Sequence, residues 1–340
     1  MPGATIAALS GGNVKVDSAS GSMDLGSQDL VDVESAVIRS HNIALGIYSS
    51  GGGDVSVTAF GSINVDGSRI ATFNGGALTI ESSHGNVDAG SGGTLAVPVY
   101  VYYVDPKTRL ADYYLEQVYA NGIVASTLVD PSQVPGGAVA PGNITVQAPR
   151  GNIIANLGGI LQDALNGNVS AGPTITLDAG SPGFTGNINL GESGVIGGTV
   201  NVTANGNVTG LIISRQNATV NAAQSFSGTV LSGGTANLNA GGTVSGTVIG
   251  IGGVNASGGQ GVSASLISQN VSVGGGASQS TLGTTAAATS TSQAAAAQAS
   301  SDAKGETVAD TSDDDKKKKK GPPPVLARKT GRVTVILPSS

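Results

Sequence analysis

Four segments in the C-terminal half of the chain share one pattern and decide the fold: VTGLIIS (208–214), FSGTVLS (226–232), VSGTVIG (244–250) and VSASLIS (262–268). Their first residues, Val208, Phe226, Val244 and Val262, are evenly spaced along the chain. Apolar side chains largely alternate with small polar ones, which is the period of a β-strand, and glycine and asparagine are frequent between the segments. An internal repeat of this kind predicts a solenoid of short strands.

A second motif runs in step with the first: VTA from Val202, VNA from Val220 and LNA from Leu238, with the same spacing between copies. The next copy, VNA from Val254, arrives two positions early, and the longer linker SGGQG restores the spacing. Strands this short bury their apolar side chains only when coils stack about 4.8 Å apart. We therefore expect an all-β fold, a right-handed parallel β-helix over residues 1–277, with roughly 13–15 coils of about 18–20 residues and a length of about 60–70 Å.

The upstream half repeats the tripeptide Gly-Asn-Val/Ile, at Gly12, Gly85, Gly142, Gly151, Gly167, Gly186 and Gly206. Glycine and asparagine tolerate left-handed backbone, so the tripeptide predicts a corner followed by a strand. Asn and Thr also recur at equivalent positions, as in Thr203, Asn221 and Asn239. Two interpretations stay open for these residues: a ladder of stacked side-chain hydrogen bonds, or a simple turn preference.

The composition limits which functions are possible. Charged residues make up 11% of the chain, and residues 193–301 contain one ionisable side chain, Arg215. A nucleic-acid surface needs clustered Lys and Arg, so nucleic acid is not an expected partner. The absence of cysteine excludes disulfides and thiolate metal sites. Neither the calcium-binding nonapeptide nor a dinucleotide or phosphate motif occurs, so no cofactor or metal is expected.

Nearly all the tyrosine lies in one segment, VPVYVYYVDPKTRLADYYLEQVY (97–119). The alternation in VPVYVYYV predicts a strand, DPKT a type I turn, and LADYYLEQVY a returning strand. We interpret residues 97–120 as a β-hairpin inserted into the solenoid. The spacing of Leu110, Tyr114 and Val118 leaves a short returning helix as the alternative.

Tyrosine is a favoured contact residue of recognition surfaces. The candidate partner-binding residues are Tyr100, Tyr102, Tyr103, Tyr113, Tyr114 and Tyr119. The alternative is that the hairpin lies on a flank of the rod and its tyrosines cover apolar surface.

The pattern ends after residue 277. Residues 278–324 are low in complexity and are predicted to be a disordered linker. Its DDDKKKKK run is either a solvated, self-neutralising spacer or, through Lys316 to Lys320, a contact with anionic surfaces or a protease site. Residues 325–340 are predicted to form a strand-like tail, and their VTVIL suits addition to an exposed sheet edge.

Repeats of the form GNVTV…A…GG with Gly-Asn corners resemble the β-helix of filamentous haemagglutinin-like exoproteins, the large adhesins of two-partner secretion. The resemblance covers most of residues 10–277, and the C-terminal GRVTVILP after a low-complexity region also fits. It implies a secreted or outer-membrane-associated location on a bacterial cell and an outer-membrane transporter as a partner. The N-terminal MPGATIAALSGG lacks the basic and apolar regions of an export signal, so we expect a C-terminal portion of a longer protein.

The sequence favours binding over catalysis. The densest acidic group, Asp17, Asp24, Asp29, Asp32 and Glu34, fits an exposed strand face. The two histidines, His41 and His84, lie in turn-like settings.

We expect a non-enzymatic adhesin segment, a rod presenting contact surfaces to host cells, other cells or matrix, through protein or glycan. The alternatives are a polysaccharide-processing β-helix enzyme and a structural fibre or matrix protein that self-associates. No apolar run is long enough to suggest a membrane-spanning helix.

Overall fold

The computed structural model describes residues 5–8, 11–26, 46–90, 97–104, 111–118, 122–127, 139–164 and 172–275. All regular secondary structure in these ranges is β-strand, and the sheets that form the rod are parallel, which confirms the parallel β-helix. No helix in the described ranges is long and apolar enough to cross a membrane.

One sheet contains ten parallel strands, one from each coil, and is called here the ten-stranded sheet. Its strands are β2 (Val14–Ser18), β5 (Val55–Ala59), β8 (Leu78–Ser82), β13 (Ile144–Ala148), β16 (Thr174–Ala179), β19 (Thr199–Ala204), β21 (Ala218–Ala222), β23 (Thr235–Ala240), β25 (Gly253–Gly258) and β27 (Val271–Gly275). Each strand pairs only with its counterparts in the coils before and after it, as a solenoid requires.

The other sheet of the rod contains fifteen strands and begins as two branches. The long branch comprises β1 (Thr5–Ala8), β4 (Gly46–Ser50), β7 (Arg69–Phe73), β12 (Gly122–Thr127), β15 (Gly159–Ala164) and β18 (Val195–Gly197). The short branch comprises β3 (Met23–Asp24), β6 (Ile63–Asn64), β9 (Val87–Asp88), β14 (Ile153–Ile154) and β17 (Ile188–Asn189). An early coil therefore has three sides.

The two branches merge at β20 (Val208–Ser214), which pairs with both β17 and β18. The strands β22 (Phe226–Ser232), β24 (Thr243–Gly250) and β26 (Gly261–Ile267) stack on it in register, at the spacing seen in the sequence. These are the four segments quoted first, and their predicted stacking is confirmed. Gly210 and Gly246 have φ of +108°. They bend the merged strands at the point that corresponds to the gap between the two branches in the earlier coils.

The predicted number of coils is wrong. The described residues form ten coils, and nine steps of about 4.8 Å give a rod of roughly 43 Å. Only the later coils have the short period. In the earlier coils Val14 pairs with the distant Val55, and Leu78 pairs with the still more distant Ile144. The inserted hairpin lies between the strands of Leu78 and Ile144.

The prediction that the second motif is displaced by two residues at Val254 is also wrong. Leu238 pairs with Ala256 and not with Val254, while Val254 pairs with Ala236. The spacing of the repeat therefore continues into this coil without any adjustment by the SGGQG linker. The copy looks early in the sequence because the tripeptide Val-Asn-Ala begins at Val254, two residues before Ala256, which is the residue that pairs with Leu238.

The core is a column of small aliphatic side chains. In β19, Val200, Val202 and Ala204 are buried, whereas Asn201 and Thr203 point outward. The same alternation holds in the neighbouring strands of the ten-stranded sheet. Each fully buried Val, Ile or Leu contributes about 1.5–3 kcal/mol, so stability accumulates along the rod.

The Gly-Asn corners within the described residues are confirmed, and Gly167 lies outside these residues. The predicted reason for glycine is wrong. None of the described corner glycines has left-handed backbone. Glycine is required because the coils approach so closely there. A Cβ on Gly142 would lie 1.5 Å from the carbonyl oxygen of Gly76, and one on Gly151 would lie 1.9 Å from that of Gly85.

A side-chain ladder does form, at the corner asparagines. The Asn86 Oδ1 accepts from the Asn152 backbone N–H at 2.9 Å and from its Nδ2 at 3.1 Å. Asn152 and Asn187 repeat both contacts with the next coil, so the ladder reaches Asn207. Each side-chain oxygen supplies an acceptor for a backbone N–H of the next coil that would otherwise lack a hydrogen-bond partner at the corner.

The inserted hairpin is confirmed and the helical alternative for its second half is wrong. Strand β10 (Val97–Val104) pairs antiparallel with β11 (Ala111–Val118). The predicted DPKT turn lies outside the described residues, as do the predicted linker at 278–324 and the tail at 325–340.

Replacing Gly246 by Ala tests the bend. The substitution places a Cβ 1.9 Å from the Gly228 carbonyl oxygen on a backbone with φ of +108°, so we expect a loss of about 2 kcal/mol or more in unfolding free energy. Urea unfolding followed by circular dichroism measures it. The matched control is Gly253→Ala, whose Cβ meets nothing closer than 3.6 Å. Equal stability of both variants would contradict the bend's role.

Candidate binding surfaces

The outer side of the ten-stranded sheet carries two columns of polar side chains. The first column runs through Thr145, Thr176, Asn201, Thr219, Asn237, Asn255 and Ser272. The second runs through Gln147, Asp178, Thr203, Asn221, Asn239 and Ser257. We call these two columns the amide face. Strand pairing sets neighbours within a column about 4.8 Å apart.

Two shallow grooves lie on the amide face. One, of about 490 Å³, is lined by Asp178, Thr203, Asn205, Asn221 and Asn239 among others. The second, of about 310 Å³, shares Asn221 and Asn239 and continues towards β27. Asp178 is the one carboxylate among these lining residues, and burial raises the pKa of its carboxyl above the ordinary value.

The side chains of the amide face are largely available to a ligand. Asn255 donates from Nδ2 to Asn237 Oδ1 at 2.8 Å. Among the described residues, Thr203, Asn221 and Asn239 form no side-chain hydrogen bond with the rest of the chain, so the ladder interpretation is wrong at these positions. The alternative of a turn preference is also wrong, because the three residues lie within β19, β21 and β23. These side chains point outward from within paired strands, whereas the asparagine ladder lies at the corners between strands.

A second candidate surface is an aromatic and cationic stack beside the C-terminal ends of successive strands of the ten-stranded sheet, called the edge column. It consists of Phe60, His84, Arg150 and Phe184. The Phe60 and His84 rings stack with centroids 4.1 Å apart and an interplanar angle of 22°. Arg150 Nη1 lies 2.7 Å from His84 Nε2, and its guanidinium lies 4.7 Å from the centre of the Phe184 ring.

The solenoid builds the edge column from residues distant in sequence. His84 and Arg150 directly precede the corner glycines Gly85 and Gly151, and Phe60 precedes Gly61, which occupies the equivalent position one coil earlier. Stacking of the coils therefore places these three residues above one another. Phe184 belongs to a tight turn in which its N–H and carbonyl both bond to Ser181, and Asn205 Nδ2 donates to both carbonyls of that turn. The sequence alone did not reveal the column, although the position before the corner glycine was an available signal.

A third surface is an aliphatic stripe on the outer side of the fifteen-stranded sheet. One half-buried or exposed residue per coil forms it, in register: Leu161, Ile196, Ile213, Leu231, Ile249 and Ile267. The same outward column begins in earlier coils with Tyr48, Ala71 and Val124, which are buried. The stripe is therefore the uncovered continuation of a covered face.

The structure describes the predicted tyrosine site only through its backbone. Tyr102 lies opposite Tyr113 in the hairpin, Tyr100 opposite Leu115, and Tyr114 opposite Val101. Tyr103 lies opposite Asp112, and Tyr119 lies outside the described residues.

The backbone of β10 approaches β4. The outward Tyr48 of β4 is buried and packs edge-on against Phe73, with centroids 6.0 Å apart. This arrangement favours the interpretation in which the hairpin lies on a flank of the rod.

The described acids do not assemble a metal site. Asp17 pairs with Lys15 at 3.0 Å, and the hydrogen bond from Thr58, aided by Lys15, lowers the pKa of its carboxyl. Burial raises the pKa of Asp66, and the nearby carboxylates of Asp24 and Asp88 add to this. No group of three potential metal ligands occurs in the described ranges. The predicted acids at 29, 32 and 34, and His41, lie outside them.

No family model matches the chain, and no curated protein or solved structure is significantly similar to it.

Proposed function

We propose that the chain is a non-enzymatic adhesin segment, a β-helical rod that binds glycans along its amide face. One observation carries the proposal: side-chain amides and hydroxyls at repeated positions outline two continuous grooves on the outer side of the ten-stranded sheet. Three of these groups, on Thr203, Asn221 and Asn239, are not engaged by other described residues. A polysaccharide presents hydroxyl groups repeated along its length, which match such a row of donors and acceptors.

The rod suits display. Every coil pairs its backbone with its neighbours, so the amide face is held on a rigid support and loses little conformational freedom when a ligand binds. The near absence of charge from residues 193–301 leaves hydrogen bonding as the main polar contribution there. Weak contacts repeated along a rod also add up through multivalency.

The expected context of this activity is the surface of a bacterial cell or the medium around it, with host-cell, cell–cell or matrix glycans as ligands. The resemblance of the Gly-Asn repeats to filamentous haemagglutinin-like exoproteins supports this context, together with export through a two-partner outer-membrane transporter. The β-helix agrees with that family but is shared by other exported passengers.

Binding is favoured over polysaccharide cleavage by the chemistry of the grooves. Glycoside hydrolysis typically uses two carboxyl groups on either side of the scissile bond. The described lining supplies one, Asp178, amid amides and hydroxyls that bind sugars without reacting.

Replacing Asn221 and Asn239 together by Ala tests the amide face, because both residues line both grooves. Losing two hydrogen-bonding amides is expected to weaken binding about tenfold or more. Calorimetric titration of the full chain with soluble β-glucan, dextran and polygalacturonate measures it. The control replaces the exposed Ser227 and Ser263 of the fifteen-stranded sheet by Ala and should bind normally.

A deletion of residues 97–120 completes the test. We expect this variant to bind as the full chain does. If it loses binding while circular dichroism shows an intact β-fold, the site is the tyrosine hairpin instead. If none of the three polymers binds the unaltered chain, the proposal fails.

The aliphatic stripe favours a second candidate function, a structural fibre that grows by side-to-side association of copies of this chain. The stripe is neutral and repeats at the coil spacing, so a second copy presents a matching row. The buried Tyr48, Ala71 and Val124 show that this face is already covered in the earlier coils. Covering the rest with a second copy would remove six aliphatic side chains from water.

Replacing Ile213 and Leu231 by Thr tests the stripe. Threonine keeps the preference for a strand but adds a hydroxyl to the contact. Sedimentation velocity of the unaltered chain should show a mass that rises with concentration, and the double variant should remain monomeric. The control Ile251→Thr changes an isoleucine that is 74% exposed and outside the stripe. A chain that is monomeric at every concentration would rule out this function.

A further inference from the structure

We infer that the edge column recognises a carboxylate, so that the glycan bound by this rod is a polysaccharide containing uronic acids. The inference rests on the proposed function and names its ligand class. It starts from Phe60, His84, Arg150 and Phe184, which come from four successive coils and form one continuous stack on the rod.

Two of the four stack members are exposed phenylalanines on a chain with few aromatic residues. Phe73 and Phe226 are 0% and 1% exposed, as expected for a core, whereas Phe60 and Phe184 are 46% and 43% exposed. Aromatic rings held open to solvent at both ends of a stack offer flat apolar platforms. The C–H face of a pyranose ring is a flat apolar surface of similar size.

The middle of the stack offers hydrogen-bond donors. Arginine cannot accept, so Arg150 Nη1 donates to His84 Nε2, and the imidazole is then neutral with its remaining proton on Nδ1. The other guanidinium N–H groups and this Nδ1–H are donors without acceptor capacity. A carboxylate, which only accepts, complements such a set, and the planar guanidinium matches it in shape.

The charge of Arg150 is not neutralised by the described acids. The ion pair of the described ranges joins Lys15 to Asp17, and Arg150 makes its contacts with a neutral imidazole and a phenyl ring. An arginine held in place by stacking, with its charge still available, is preorganised for an anionic ligand.

The neighbouring side chains restrict the kind of anion. Gln147 pairs in register with Glu81 on one side and Asp178 on the other. Glu81 and Gln147 each lie three residues before a member of the edge column, His84 and Arg150 respectively. The negative charges of Glu81 and Asp178 disfavour a polymer that carries more than one charge per sugar, such as a highly sulfated dextran, while their oxygens accept hydrogen bonds from sugar hydroxyls. Asp178 also lines the larger groove, together with Ser181 of the turn that carries Phe184. One polysaccharide can therefore lie in the groove and place a carboxylate at Arg150.

The experiment compares two forms of one polymer on the full chain. Polygalacturonate carries a free carboxylate on each sugar, and its methyl ester has the same backbone without the charge. Calorimetric titration should show at least about tenfold tighter binding of the free acid, because hydrogen bonds to charged groups are the stronger ones. Arg150→Gln should abolish that difference, and Phe184→Leu should weaken both polymers.

Lys15→Gln is the matched control, because it removes one positive charge from the outer side of the same sheet and should preserve the preference for the free acid. Circular dichroism and urea unfolding check that each variant is folded. Equal binding of acid and ester by the unaltered chain, with the Asn221/Asn239 variant still impaired, would overturn the carboxylate site and leave the proposed function standing. Tighter binding of dextran sulfate or of single-stranded DNA than of polygalacturonate would also overturn it.

Discussion

The structure depends on backbone hydrogen bonding between successive coils at a fixed step of about 4.8 Å. That step admits no Cβ at the corners, where the carbonyl oxygen of one coil lies within 1.5 to 1.9 Å of the position a side chain would occupy on Gly142 or Gly151. It also aligns Asn86, Asn152 and Asn187 so that each amide bonds to the next coil. The high glycine content and the small aliphatic core follow from the same step.

Coil stacking also determines what the surface can do. A residue on the outer side of a strand is repeated above and below by its counterparts, so a surface of this rod is a column and not an isolated patch. Asn and Thr in one column give the amide face, and Leu and Ile in another give the aliphatic stripe. Where the repeated residue is Phe, His or Arg, the column becomes a stack of rings and a guanidinium.

The part of the fold that depends on local repetition was predictable from the sequence. The regular period from Val208 to Ser268 predicted strand pairs that the structure contains, and the tyrosine-rich segment predicted its hairpin. The number of coils was not predictable, because a long stretch of chain separates Leu78 from its partner Ile144 and no local signal marks which part of it leaves the coil. The edge column has a local signal, the position before a corner glycine, but it was missed because His84 and Arg150 become neighbours only once that pairing is known.

The most direct test of the stacked rod is a distance measurement along one column. The chain has no cysteine, so cysteines introduced at chosen positions carry spin labels uniquely. Thr145 and Asn237 are four coils apart in register, and Thr145 and Ser272 are six. Pulsed dipolar spectroscopy should give backbone separations of about 19 Å and about 29 Å. Two equal distances, or a shorter one for the second pair, would contradict the stacked rod.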